Sequence, residues 1–109
     1  MKREVYIPSL PTRWDAATHS RVPSLDLNPA EKYGDLINMT TESYERTQDG
    51  VDAVLEAAEN IGEDDLILCV GDVVLCAAAI AQAARQNGKA NVLRWDKNRR
   101  GYEIETVVL

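Results

Sequence analysis

The residues best placed to do chemistry in this chain are Gly71 and Asp72, which separate an apolar run from an alanine-rich one in DLILCVGDVVLCAAAIAQAARQ (Asp65 to Gln86). The segment reads as strand, tight turn and helix. In α/β folds that turn is the usual place for ligands, because a helix N-terminus offers free amides and a positive dipole end to an anion. An aspartate there can also hold a ribose hydroxyl or a metal. The structural reading is simpler: Gly71 supplies a backbone conformation closed to other residues, and Asp72 accepts hydrogen bonds from the first helix amides. Its carboxylate then fills the pole an anion would need. With no GxGxxG or GxxxxGK[ST] around the pair, capping is the expected role, and ligand binding at Gly71 and Asp72 is the weaker expectation.

Other chemistry is thinner. Cys69 and Cys76 have neither the CxxC spacing nor the histidines of a zinc site, and both fall in apolar runs. They are expected as core thiols rather than as a disulfide or redox pair. The only histidine, His19, lacks the companions of a metal site or a catalytic base, and no serine lies in a GxSxG elbow. The expectation is therefore no catalytic residue, no metal, no cofactor and no enzyme. The basic turn Lys97-Asn98-Arg99-Arg100, with Arg94 and Trp95 beside it, can grip a phosphate or stand as a solvated hairpin tip.

These residues need elements to hold them. Glu4 to Ile7 reads as a first strand, stopped by Pro8. Residues 8–27, with Pro11, Pro23, Trp14 and His19, show no steady period and are expected to form a long irregular loop, a candidate contact element. Asn28, Pro29 and Glu31 suit an N-cap, a first helical position and a capping box for a short helix that Gly34 ends. A strand over Asp35 to Met39 and a polar connection with an exposed-looking Tyr44 follow. Val51, Val54, Leu55, Ala58 and Ile61 recur at helical spacing up to Gly62. Leu66 to Val70 is apolar throughout, as in a central strand covered on both faces. After the helix Val73 to Asn87 comes a strand over Asn91 to Trp95. The last strand, Tyr102 to Val108, must run antiparallel to it because the connection is short, and its glutamates protect an edge. The order predicts a single α/β domain over 1–109, a small sandwich whose mainly parallel sheet of about five strands carries packed helices and an antiparallel C-terminal edge hairpin. No internal repeats or low-complexity tracts are evident.

Composition narrows the function class. The 109 residues carry 45% hydrophobic and 28% charged side chains, the balance of a folded domain, with a net charge of −6. That sign argues against direct nucleic-acid binding. No run reaches the roughly 20 apolar residues of a membrane span. The charged start and early proline do not make a signal peptide, so a reducing cytoplasm is the expected setting. Between Asp26 and Asp65 twelve acidic residues stand against two basic ones, and between Arg85 and Gly101 six basic residues stand against Asp96. The molecule is expected to be dipolar, with solvated faces or partner-facing ones. An exposed alanine face on the Val73 to Asn87 helix would point to a homodimer, a buried one to an isolated domain.

The strand VYIPS, the motif NPAEKYG followed by a strand, the VGD helix start and the closing LRWD hairpin together resemble small uncharacterised proteins of tailed bacteriophages. The similarity covers most of the chain outside Ser9 to Leu25 and carries no assigned activity or catalytic residue. It implies the cytoplasm of an infected bacterium, where compact acidic phage proteins often bind a host enzyme or defence component. The expected function is a non-catalytic protein that binds and modulates a larger host protein, with Trp14, His19, Tyr44, Arg94, Lys97, Arg99 and Arg100 as candidate partner contacts. The alternative is a small ligand- or nucleotide-binding module at the Val70 to Asp72 turn.

Overall fold

Five short runs with apolar residues on one or both faces pair into one sheet. They are β1 (Glu4–Ile7), β4 (Asp35–Asn38), β5 (Leu66–Leu68), β6 (Lys89–Asp96) and β7 (Gly101–Val108), in the order β4-β1-β5-β6-β7. The computed structural model describes residues 3–24, 26–40 and 47–109. Candidate residue Tyr44 lies outside them. The first four strands run parallel, and β7 returns antiparallel along the whole of β6, from Lys89 opposite Val108 to Asp96 opposite Gly101. The mainly parallel sheet with an antiparallel C-terminal edge is therefore the one the sequence predicts.

Three helices connect these strands: α1 (Asn28–Glu31), α2 (Thr47–Ala58) and α3 (Val73–Asn87). Right-handed crossovers dictate where they lie. The step from β1 to β4 goes one way along the sheet and the next two go the other way, so α1 covers one face while α2 and α3 share the opposite one. Two cores result. Val5, Ile7, Leu66, Leu68 and Leu93 point toward α1, where Ala30 is buried and Leu27 and Tyr33 pack against them. Tyr6 and Ile67, alternating with those neighbours, point toward Val54, Ala58, Leu75, Ala79 and Ala83 of α2 and α3. β5 is the middle strand and its three residues are fully buried, which is why its sequence shows no polar alternation. The alanines at 79, 83 and 84 face inward and let α3 approach its neighbours closely.

Long-range polar contacts lock this frame. The Gln86 side-chain amide donates to the carbonyls of Ala58 (2.8 Å) and Ile61 (3.0 Å), and Asn87 donates to Ile61 (2.9 Å). The end of α3 thereby adds bonds to carbonyls at and just past the end of α2. Asp65 reads as a solvated turn residue in the sequence, yet one carboxylate oxygen accepts the Glu4 amide (3.1 Å) and the other the Gly62 amide (2.8 Å). It ties the start of β1 to the entry of β5.

Two local expectations are corrected. Asn28 is already the first helical residue and caps nothing. The chain enters α1 through Asp26, whose carboxylate accepts the Asn28 amide at 2.9 Å, and no capping box forms. More consequentially, the segment 8–27 is not irregular throughout. It contains an antiparallel hairpin of β2 (Thr12–Asp15) and β3 (Ser20–Pro23), a second sheet separate from the main one. Six of its eight strand residues are exposed, on both sides of the ribbon. A hairpin that buries no face needs no apolar alternation, so the pattern that betrays a strand is missing.

Candidate functional site

Two places collect the candidate residues, and the first is the strand-to-helix turn. Reversal of the winding direction puts the topological switch between β1 and β5, where doubly wound sheets open a crevice beyond their strand ends. Gly71 sits there with φ +78°, and a Cβ on it would overlap the Ser9 carbonyl just past β1. The two segments cross in backbone contact. Asp72 turns inward to its own helix, its Oδ1 accepting the amides of Val74 (2.8 Å) and Leu75 (3.2 Å). The carboxylate is thus engaged as an N-cap, while Gly88 in the left-handed conformation (φ 79°) closes the other end of α3. Cys69 and Cys76 flank this turn as free thiols, the first partly exposed and the second buried. Among the described residues no group of three or more His, Cys, Asp or Glu is arranged to hold a metal ion.

The second place is the β2–β3 hairpin, an arm joined to the body after β1 and before α1. Trp14 is 58% exposed on it, directly opposite Arg21, whose guanidinium donates to the Thr12 hydroxyl (2.8 Å) and carbonyl (3.0 Å). Arg13 lies one residue away on the other face of the ribbon. The turn starts at Asp15, whose carboxylate accepts the Ala17 amide (3.0 Å), and ends at His19 in the left-handed conformation (φ 52°). His19 is therefore exposed at the tip of the arm and has a place in the turn geometry whatever else it does.

The C-terminal hairpin repeats this construction. Arg94-Trp95-Asp96 ends β6 as Arg13-Trp14-Asp15 ends β2, and four turn residues follow each. Asp96 accepts the amides of Asn98 (2.9 Å) and Arg99 (3.4 Å), and the last turn residue, Arg100, is again left-handed (φ 51°). Three identical residues do not make a sequence repeat, and the likeness lies in the matching turns.

The surroundings of the two triplets differ. Trp95 faces Tyr102 across the strands, with ring centroids 5.1 Å apart and an edge-on angle of 77°. Tyr102 in turn meets Tyr33 edge-on at 6.4 Å and accepts its hydroxyl at a backbone carbonyl, which fastens the hairpin to the α1 side of the body. Burial raises the Tyr102 pKa, with the nearby Asp26 charge adding to it. Arg94 pairs with Glu105 (3.7 Å) and Arg99 with Glu103 (2.8 Å) and Asp96 (4.0 Å). Of the basic cluster, Lys97 and Arg100 make no ion pair among the described residues. Of the two roles open to this turn in the sequence, phosphate grip and solvated hairpin tip, the first is weakened because the glutamates of β7 pair with Arg94 and Arg99. Trp14, His19 and the basic turn are thus brought to two different hairpins rather than to one surface patch.

Sheet order, the faces of the crossovers and the two hairpins define the class: a small doubly wound α/β domain with a β-arm inserted after its first strand. The chain belongs to the family described as Phage Pam3 gp32-like protein, whose family model matches residues 3–108. The resemblance to small phage proteins carried by VYIPS, NPAEKYG, VGD and LRWD is thereby established, and the matched span includes the arm. No curated protein and no solved structure matches the chain at a significant level. Among the described residues no helix is long and apolar enough to cross a membrane.

Proposed function

We propose that this phage protein is a non-catalytic binding protein that engages and modulates a larger protein of the bacterial host, with the β2–β3 arm as its contact element. One observation carries the reading: Trp14 stands 58% exposed on a two-stranded ribbon with exposed residues on both faces. Ordering a residue costs about 1–2 kcal/mol of backbone entropy, and an isolated hairpin is marginal in water. An arm that buries little of its own surface is best accounted for by a surface it meets elsewhere. Tryptophan and arginine dominate the binding energy of protein interfaces, and Arg13, Trp14 and Arg21 gather both types on one short element. The net charge of −6 favours a protein over a nucleic acid as that partner.

Immobilised protein should retain a stoichiometric partner from a lysate of the infected host, and Trp14→Ala should release it at least tenfold more readily while unfolding at the same denaturant concentration. Retention by Trp14→Ala at unchanged affinity would remove the arm from the interface. Absence of any partner across salt concentrations would remove the binding function itself.

A further inference from the structure

The turn that holds Gly71 also brings two thiols together. Leu68 and Val70 pack in the core on the α1 side, and Cys69, between them and just past the end of β5, stays partly exposed. Its amide still donates to Leu93 (3.2 Å), which keeps it in line with the end of the sheet. Cys76 comes one turn into α3, on the helix side buried against the sheet with Leu75 and Ala79. Its Sγ lies 3.3 Å from the carbonyl oxygen of Val70, the residue that follows Cys69. The two thiols are near enough for each to shift the other's protonation.

We propose that Cys69 and Cys76 form a thiol–disulfide exchange site for small disulfides of the oxidised-glutathione class, with partly exposed Cys69 as the attacking thiol and buried Cys76 as the resolving one. The division of labour follows from the surroundings. The neighbouring Cys76 thiol, able to donate to a Cys69 thiolate, lowers the Cys69 pKa to about 7 against the opposing effect of burial. The same interaction and burial raise that of Cys76, which keeps its proton. A thiolate is the reactive species in exchange, and one with a pKa near the ambient pH is the best attacker.

The exchange balances in two steps. Cys69 thiolate attacks one sulfur of the small disulfide; that S–S bond breaks, one small thiolate leaves and takes a proton from water, and a mixed disulfide remains on Cys69. Cys76 then gives its proton to solvent and attacks the Cys69 sulfur, and the second small thiol departs. Two protein thiols are oxidised to one disulfide, and one small disulfide is reduced to two thiols. The new bond would tie the end of β5 to α3 across the Gly71 turn.

The test is reaction of the folded, reduced protein with oxidised glutathione, an acid quench and tryptic mapping without reductant. No Lys or Arg lies between Arg46 and Arg85, so both cysteines fall in one peptide. Closure should appear as a loss of about 2 Da from that peptide, the two thiol hydrogens that disulfide formation removes. Cys76→Ser should instead trap a glutathione adduct on Cys69, and Cys69→Ser should react at least tenfold more slowly than the wild type. A wild-type protein that accumulates the adduct without closing would overturn the pairing. So would thiols that stay unmodified until the chain is unfolded. Should Cys76→Ser not fold, the wild type and Cys69→Ser still decide between these outcomes.

Discussion

The β2–β3 and β6–β7 hairpins are built on the same Arg-Trp-Asp triplet and the same turn, and they end in opposite situations. In the C-terminal hairpin the tryptophan's cross-strand neighbour is Tyr102 and the arginine is answered by Glu105. In the arm the tryptophan's neighbour is Arg21, and Arg13 stands opposite Val22. The turn chemistry is shared: an aspartate that satisfies amides two or three residues on, and a left-handed residue before the return strand. A turn therefore decides that a hairpin forms, while its cross-strand neighbours decide whether it becomes body or arm.

The largest difference between the two hairpins should appear in hydrogen exchange. The β6 ladder is paired on both sides, with β5 and β7, and it should open only with global unfolding, which for domains of this size lies at about 5–15 kcal/mol. The arm pairs only with itself. Its ladder amides should exchange through local opening at free energies roughly 3 kcal/mol or more below those of β6. Equal protection in the two hairpins would mean that the arm belongs to the cooperative body.

The tryptophans should separate next. Trp95 is 43% exposed and packed edge-on against Tyr102, so Trp95→Ala should cost about 1–2 kcal/mol in denaturant unfolding, less than full removal of a buried aromatic. Trp14→Ala should stay within about 0.5 kcal/mol of the wild type, as surface substitutions do. A cost at Trp14 equal to that at Trp95 would show the arm resting on the body.

What the sequence discloses follows the same divide between local and long-range causes. The Leu66 to Val70 run, the Asp72 cap and the Gly88 stop are local, and all three stand where the residues put them, with β5 closing slightly earlier at Leu68. The role of Asp65 is set by the Glu4 amide, sixty-one positions away, and nothing beside Asp65 foretells it. Asn28 has the right type for a cap, but the Asp26 turn takes its amide first. The arm escapes notice because it lacks a buried face, and periodicity reports burial rather than strand geometry. Cys69 and Cys76 are read from their apolar runs as core thiols, and what the residues beside them do not tell is that the Gly71 turn brings Cys76 Sγ to the Val70 carbonyl, next to Cys69.

The smallest effect distinguishes the two turns by acid. In the folded state the Asp96 carboxyl is held below the usual value of 3.8, chiefly by the Asn98 amide, with the Arg99 amide and guanidinium helping. A depressed folded pKa contributes stability that is fully present above the unfolded value of about 3.9 and is lost as the pH falls through the folded one. Asp96→Asn keeps an oxygen for the turn amides but removes the charge. Its Tm deficit relative to the wild type should therefore be constant from pH 7 to pH 5 and shrink below pH 4. Asp15→Asn should leave the global acid transition where it is, because an arm that opens on its own contributes nothing to the cooperative step. If Asp15→Asn moved that transition as far as Asp96→Asn does, the two hairpins would share one folding unit, and the difference between their tryptophans would need another cause.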